Sequence, residues 1–355
     1  MQFENDFNRA PLVAIWEVTR ACDLCCVHCR ASARPNRDPH ELSTEEAIGL
    51  IDQLRELEPG VVVLTGGDPL KRPDLFALIE AAVRAQLNVA ITPSVTPLLT
   101  ADTIRRLAAA GISRIALSLD GPDAPNHEAF RRTAGVFAAT LRAIAAVQAC
   151  GLPLQINTSL SRQTVRSLAG TAQLVAKLKP VLWSVFFVVP GGRATREQQL
   201  DAATCEGVFH HLYDWSETSG VPVKTTAAPA YRRVVIEEHK VRRQAGRRPR
   251  PLGVNDGKGF VFVSHTGDVY PSGFLPLGVG NVRGTRLAEI YRTSPLFQAL
   301  RDDHQLQGKC GRCPFKHVCG GSRARAYAMS GNPLAEDPAC IYEPPTSMPS
   351  STMLQ

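Results

Sequence analysis

Leu12-Val13-Ala14-Ile15-Trp16-Glu17-Val18, followed after Thr19-Arg20-Ala21 by Cys22-Asp23-Leu24-Cys25-Cys26-Val27-His28-Cys29, decides how this chain is read. The first run is continuously apolar apart from Glu17, the pattern of a buried strand. The second puts Cys-x3-Cys-x2-Cys on the loop where that strand ends. A cube of four irons wants four external ligands, so three thiolates leave one iron open. An open coordination position is what turns a structural metal centre into a reactive one, as in catalytic zinc sites. The same spacing also admits Cys22-x2-Cys25 as half of a zinc or rubredoxin-like iron site.

Outward from this segment, β-rich runs alternate with helical patterns, as in βα units around a parallel sheet. Ser43-Thr44-Glu45-Glu46 is a capping box opening a helix to about Leu57. Val61 to Leu64 is a short buried strand that runs into Thr65-Gly66-Gly67-Asp68-Pro69. The spacing predicts helix over Asp74 to Ala85, strand over Asn88 to Thr92 and helix over Thr103 to Ala110. The cycle continues with strand Arg114 to Leu119, helix Val136 to Cys150, strand Leu154 to Ser159, helix Val165 to Leu178 and strand Leu182 to Val189. Six strands, each followed by a crossover, suggest an α/β fold of partial (β/α)6 TIM-like type, open on one side. A helix from about Ala202 to Glu217 follows, then a hairpin of Gly259 to Val263 and Asp268 to Tyr270.

The 355 residues, 44% hydrophobic, can bury a large core. No run approaches membrane-spanning length, and the polar, acidic start Met1 to Ala10 is unlike a secretory signal, so the expected setting is cytoplasmic with no membrane partner. Ten cysteines there point to metal or redox chemistry, because a reducing compartment does not support a disulfide framework. Cys150 and Cys205 read as ordinary half-buried thiols. The net charge of +7 is concentrated at Lys240, Arg242, Arg243, Arg247, Arg248 and Arg250, among Gly246, Pro249 and Pro251. This segment reads as a solvated loop or a lid for an anionic substrate. No aromatic residues interleave for base stacking, so no nucleic-acid partner is expected.

Cysteines return as Cys310-x2-Cys313-x5-Cys319 and Cys340. Spacing alone leaves zinc and a second iron–sulfur cluster both open. The expected division is a barrel over residues 1–235, a basic linker over 236–258, a cysteine-bearing domain over 259–345 and a tail over 346–355.

The Cys-x3-Cys-x2-Cys loop after the first strand, with the later Gly66-Gly67-Asp68-Pro69, resembles the radical S-adenosylmethionine (SAM) superfamily. The resemblance implies that Cys22, Cys26 and Cys29 hold a 4Fe-4S cluster whose open iron is chelated by SAM. A reduced cluster would then split SAM to methionine and a deoxyadenosyl radical that takes a substrate hydrogen. His28 falls where an aromatic residue commonly lies beside the adenine. Gly66, Gly67 and Asp68 match the Gly-Gly-Glu motif that meets the SAM ammonium. Ser118 and Arg131 fall where relatives touch the ribose and the SAM carboxylate, and Asn157 is a further ribose candidate; Pro190-Gly191-Gly192-Arg193 would lie near the adenine or substrate mouth. The hairpin and second cysteine group resemble the SPASM auxiliary-cluster region, which makes the expected fold a partial barrel with a small C-terminal SPASM-like iron–sulfur domain. Full SPASM regions carry seven cysteines. Here Ser272 and Ser322 stand where two ligands would be, and the resemblance implies one auxiliary 4Fe-4S cluster on Cys310, Cys313, Cys319 and Cys340.

The segment from Cys319-Gly320-Gly321-Ser322-Arg323-Ala324-Arg325 to Cys340 resembles AdoMet-dependent heme synthase and pre-heme d1 synthase, which implies oxidative decarboxylation of porphyrin propionates in heme biosynthesis. Arg323 and Arg325, with the basic loop, are candidates to meet those carboxylates; the alternative is that they cap the auxiliary region. The implied partners are a small molecule of tetrapyrrole type or a peptide, and an electron donor such as flavodoxin or ferredoxin. A peptide maturase is the second reading; many carry a leader-binding domain before the barrel, and only about ten residues precede the first strand here, which weakens that reading unless a separate leader-binding protein supplies the function. A non-catalytic iron–sulfur electron carrier is the third, and the glycine motif and open iron argue against it.

Overall fold

The computed structural model describes residues 6–242 and 251–345. Its strands are β1 Val13–Thr19, β2 Val61–Gly66, β3 Val89–Ile91, β4 Arg114–Ser118, β5 Leu154–Leu160, β6 Leu182–Phe187, β7 Val223–Thr226, β8 Phe260–Val263 and β9 Val269–Tyr270. The helices in chain order are α1 Thr44–Leu57, α2 Leu75–Arg84, α3 Ala101–Ala109, α4 Ala124–Arg131, α5 Val136–Ala149, α6 Leu168–Leu178, α7 Ala202–Ser219, α8 Tyr231–Val241, α9 Leu287–Thr293, α10 Pro295–Arg301, α11 Gly308–Arg312 and α12 Arg323–Ser330.

Local chemistry sets the ends of these elements. The Ser43 hydroxyl accepts from the Glu46 N–H, and the Glu46 carboxylate accepts from the Ser43 N–H, closing the capping box that starts α1. The Asp201 carboxylate caps α7 by accepting from the Thr204 N–H, and Gly220 ends the helix in the left-handed conformation. The β1 run is buried on both faces, as a central parallel strand must be.

The nine strands form one sheet in the order β7-β6-β5-β4-β3-β2-β1-β8-β9. All pairings are parallel except β8 with β9. Two features differ from the sequence reading. A seventh barrel strand, β7, follows α7; it is short and its Val-Lys-Thr-Thr sequence carries little apolar signal. The hairpin is not a separate sheet: β8 adds to the open edge of the barrel, with Val13 opposite Phe260 and Trp16 opposite Val263.

This placement matters for function. Parallel strands put their C-terminal ends, and the loops that follow, on one rim, where α/β sites are built. The sheet curls around a cavity of about 380 Å³, within the size range of small-molecule sites. The C-terminal region is tied to the barrel through Gln53, whose amide donates to the Val282 carbonyl (3.2 Å) and whose oxygen accepts from the Leu287 N–H (2.8 Å). No helix among the described residues is long and apolar enough to cross a membrane.

Candidate functional site

The loop after β1 brings Cys22, Cys26 and Cys29 to the cavity, whereas Cys25 is exposed and lies outside its lining. The loop's path is fixed by backbone bonds: Cys22 N–H to the Arg34 carbonyl (2.7 Å) and Val27 N–H to the Phe130 carbonyl (3.1 Å). Arg193, from the loop after β6, clamps it by donating to the carbonyls of Cys26 (2.9 Å) and Ala33 (3.2 Å). The Leu24 N–H points at the Cys22 sulfur and the Ala33 N–H at the Cys29 sulfur, at 3.4 and 3.5 Å. Burial pushes the Cys22 and Cys26 thiols up; a metal that takes the place of the proton offsets that cost.

Gly66 and Gly67 do something the sequence reading missed. A Cβ on Gly67 would sit 2.4 Å from the Ala21 carbonyl oxygen, and one on Gly66 would sit 2.3 Å from that of Thr19. Their first task is thus to let the β2 loop pack against the backbone that leads into Cys22. Both also line the cavity, while Asp68 does not. The Asp68 carboxylate is fully buried and accepts from Leu70 N–H (3.2 Å), Ser94 N–H (3.4 Å) and the Thr96 hydroxyl (2.7 Å). It braces the β2 and β3 loops instead of facing a ligand, so an ammonium group would meet the glycine backbone.

Ser118 and Asn157 line the cavity from neighbouring strands, opposite one another in the β4–β5 register. Arg131, at the end of α4, also lines it. Its Nε donates to Asp120 at 2.7 Å, and its Nη1 is 3.8 Å from the Cys26 sulfur. Asp120 is buried at the end of β4; burial would raise its pKa, but the Arg131 charge leads the effects that hold it below the usual carboxylate range. It also accepts from the Ser159 N–H at 2.7 Å. His28 stacks on Phe130 with ring centroids 4.2 Å apart and planes within 6°. Burial, the dominant effect, lowers its pKa to about 4, so the ring is neutral at pH 7.

Three buried polar atoms in these lining residues have no partner: His28 Nδ1, His127 Nε2 and Arg193 Nη2. Buried polar groups are normally satisfied, so these are places where a bound molecule would complete the bonding. Three thiols, two close-packed glycines and orphaned donors and acceptors on one wall fit a cluster that carries a polar ligand. Among the described residues no three His, Cys, Asp or Glu side chains converge on one point as a single ion requires. A cube asks for something else, since each thiolate serves a different iron.

Below this wall, Glu17 on β1 ties the site to the hairpin. It is 1% exposed and pairs with Arg30 (2.6 Å) and His265 (2.9 Å). Burial would raise its pKa, yet the Arg30 charge and the His265 and Arg30 hydrogen bonds outweigh it and lower the value to about 2. A depressed carboxylate stabilises the fold above its unfolded pKa and loses that stabilisation as pH falls through the folded value. Between pH 4.5 and about 2 the wild type is expected to lose about 3 kcal/mol that Glu17→Gln does not lose. Urea unfolding at pH 6 and pH 3 on both proteins checks this; equal pH slopes would contradict it.

The second cysteine group gathers between α11 and the segment after α12. Cys319 lies within electrostatic reach of both Cys310 and Cys340, and Cys313 within reach of Cys310. Burial pushes Cys319 up to about 12. Gly321, at φ +66°, aims its N–H at the Cys319 sulfur (3.4 Å), and a Cβ there would lie 2.9 Å from the Cys310 sulfur.

Arg323 is buried, donates to the carbonyls of Pro333 and Ala335, and reaches Cys310 at 3.6 Å; Arg325 pairs with buried Asp337. Neither lines the cavity: of the two roles expected for them, the bonding fits arginines that cap the cysteine region and not ones that meet substrate carboxylates. Ser322 caps α12 through the Arg325 N–H, and Ser272 accepts from the Phe274 N–H. Of the basic loop, Arg242 pairs with Asp214 and Glu238, while Arg243, Arg247, Arg248 and Arg250 lie outside the described residues.

Comparison with known proteins places the chain in a family. The radical SAM superfamily signature matches residues 16–175, and the SPASM iron–sulfur cluster-binding domain matches residues 255–314. The chain is 40% identical over 337 residues to the AdoMet-dependent heme synthase of Nitratidesulfovibrio vulgaris, covering 93% of this chain and 92% of that protein. It is 30% identical over 349 residues to the mycofactocin maturase MftC of Mycobacterium tuberculosis, covering 96% and 85%. Among solved structures, SuiB of Streptococcus suis bound to S-adenosylmethionine aligns with a TM-score of 0.72 at 16% identity, over 94% of this chain and 78% of that one. That likeness speaks to the fold alone.

Proposed function

We propose that this chain, which belongs to the radical SAM superfamily and carries a SPASM iron–sulfur region, is an enzyme that oxidatively decarboxylates the propionates of an iron-porphyrin. The observation that carries the reading is whole-length likeness, at 40% identity, to AdoMet-dependent heme synthase. Cys22, Cys26 and Cys29 would hold the SAM-binding 4Fe-4S cluster, and Cys310, Cys313, Cys319 and Cys340 one auxiliary 4Fe-4S cluster. When bound, the first cluster supplies one electron to SAM, giving methionine and a 5′-deoxyadenosyl radical that takes a hydrogen atom from substrate.

The chain's own groups do the positioning. The Gly66 and Gly67 backbone would meet the SAM ammonium, Arg131 its carboxylate, Ser118 and Asn157 the ribose, and the unpartnered Nδ1 of His28 the adenine edge. Arg131 is held by Asp120, so its guanidinium stays in place and charged. Radical chemistry needs water excluded, and the curled sheet, extended at its open edge by β8, supplies the walls on which such an enclosure is built. A propionate that loses a hydrogen atom, CO2 and one electron becomes a vinyl group, so the reaction also requires a one-electron acceptor.

A second reading, modification of a peptide, draws on the 30% identity to mycofactocin maturase MftC. Incubation of the anaerobically reconstituted protein with SAM, dithionite and iron-coproporphyrin separates the two. Mass spectrometry is expected to show loss of carboxyl groups from the porphyrin. Unchanged porphyrin alongside 5′-deoxyadenosine would contradict the heme reading and favour the peptide one.

A further inference from the structure

The cavity is lined by six cations, Arg30, Arg114, Arg131, Arg193, Lys224 and Arg232, and by a single carboxylate, Asp256. Arg30 pairs with Glu17 and Arg131 with Asp120, while Arg193, also without a carboxylate partner among the described residues, donates through Nε and Nη1 to the carbonyls of the cysteine loop and keeps its unpartnered Nη2 there. Asp256 is engaged by the Ala324 N–H at 3.0 Å. That leaves Arg114, Lys224 and Arg232, none of which pairs with a carboxylate among the described residues. Arg114 donates to the Gln155 side chain (3.3 Å), Arg232 to the Val318 carbonyl (2.9 Å), and the Lys224 ammonium sits 5.2 Å above the Phe260 ring.

Arg114 opens β4 and Lys224 stands near the start of β7, at the strand ends opposite those that carry the cysteines; Arg232 reaches in from the first turn of α8. Three neighbouring cations in a partly dry cavity repel one another and are costly without an anion. Phe260 lies under the Lys224 ammonium, and Phe186, Phe262 and Phe274 add aromatic surface elsewhere on the cavity wall.

We propose that Arg114, Lys224 and Arg232 form a carboxylate-binding site that receives acidic side chains of a large, mostly apolar substrate, at the end of the cavity away from the cysteine loop. The choice of porphyrin propionates as those side chains rests on the heme reading above; the cation cluster itself does not. One acidic group held here would direct the rest of the substrate toward the radical source. Burial, followed by the charges of Arg232 and Arg114, lowers the Lys224 pKa to about 8. The ammonium is charged below that pH and binds a carboxylate. It is lost as pH rises through 8, so affinity should fall over that interval.

The test is a titration of the reconstituted full chain with iron-coproporphyrin and with its tetramethyl ester, followed in the porphyrin absorption band. The wild type is expected to prefer the free acid. Lys224→Gln and Arg114→Gln should each weaken acid binding by roughly 10-fold or more while changing ester binding little, and Lys224→Arg should keep most of the affinity. The wild-type loss of affinity between pH 7 and 9 should be absent in Lys224→Gln. Thermal unfolding serves as the control for folding, since removing a half-buried cation that has no carboxylate partner should leave Tm unchanged or raised.

If the porphyrin binds and the variants bind it as the wild type does, the site is wrong while the heme reading stands. If the wild type ignores the porphyrin but binds pentaglutamate in a Lys224-dependent way, the site stands and the heme reading fails. Binding of neither probe overturns the site.

Discussion

Cys26→Ala is expected to lower bound iron from about eight to about four atoms per chain and to abolish formation of 5′-deoxyadenosine from SAM. The sulfur lies on the cavity wall, 3.8 Å from an Arg131 nitrogen, on a loop held at both ends by backbone bonds. No other thiol is placed to substitute: the neighbouring Cys25 is exposed and outside the lining. A cluster reduced to two protein ligands, with the SAM iron already open, would not survive reconstitution. Cys25→Ala should be silent in both assays, and that contrast separates the cube from a Cys22–Cys25 metal pair. Full iron and activity in Cys26→Ala would contradict the assignment.

Asp120→Asn is expected to cost about 3–5 kcal/mol of stability, because it strands a guanidinium that is 11% exposed beside a carboxamide that cannot neutralise it. Asparagine keeps the shape and can still accept from the Ser159 N–H, so the loss isolates the charge. Asp120→Asn/Arg131→Met removes both charges and should recover much of the stability, though not SAM cleavage. Denaturant melts of the three proteins read this directly. A single-variant cost below about 1 kcal/mol, the range of exposed pairs, would mean that the pair is solvated and the arginine not pre-positioned.

The parts of the fold legible in the sequence are those with strong local signals. The capping box at Ser43 and Glu46 marks the start of α1, and the helix ends at Leu57 as its periodicity indicates. The apolar runs of β1, β2 and β4 to β6 are found within a few residues of the expected bounds. Strand β7 was not legible, since Val-Lys-Thr-Thr owes its place to pairing with β6 and its lysine points to a cavity that only the assembled sheet creates. The parallel docking of β8 on β1 was hidden for a related reason: a hairpin's own residues say nothing about a third strand far away in the chain.

In the site, the cysteine spacing and the Gly66-Gly67 pair stand out in the sequence, and every non-cysteine residue to which the resemblance gives a SAM contact lines the cavity except Asp68. A carboxylate in a sequence motif does not disclose whether it faces a ligand or, as Asp68 does, three donors behind the wall. The same holds for Arg323 and Arg325, whose carbonyl and Asp337 partners lie in the turn leading to Cys340. The Arg114, Lys224 and Arg232 cluster joins three distant segments, and no local pattern reveals it.

The most direct test of the central claim is electron paramagnetic resonance of the reduced protein in which Cys310 and Cys313 are both changed to Ala, so that only the N-terminal centre remains. A one-electron 4Fe-4S signal that changes when SAM is added, in a sample that then yields 5′-deoxyadenosine and methionine in equal amounts, is the predicted result. A signal indifferent to SAM in iron-replete protein, with SAM recovered intact, would show that no iron is open to it.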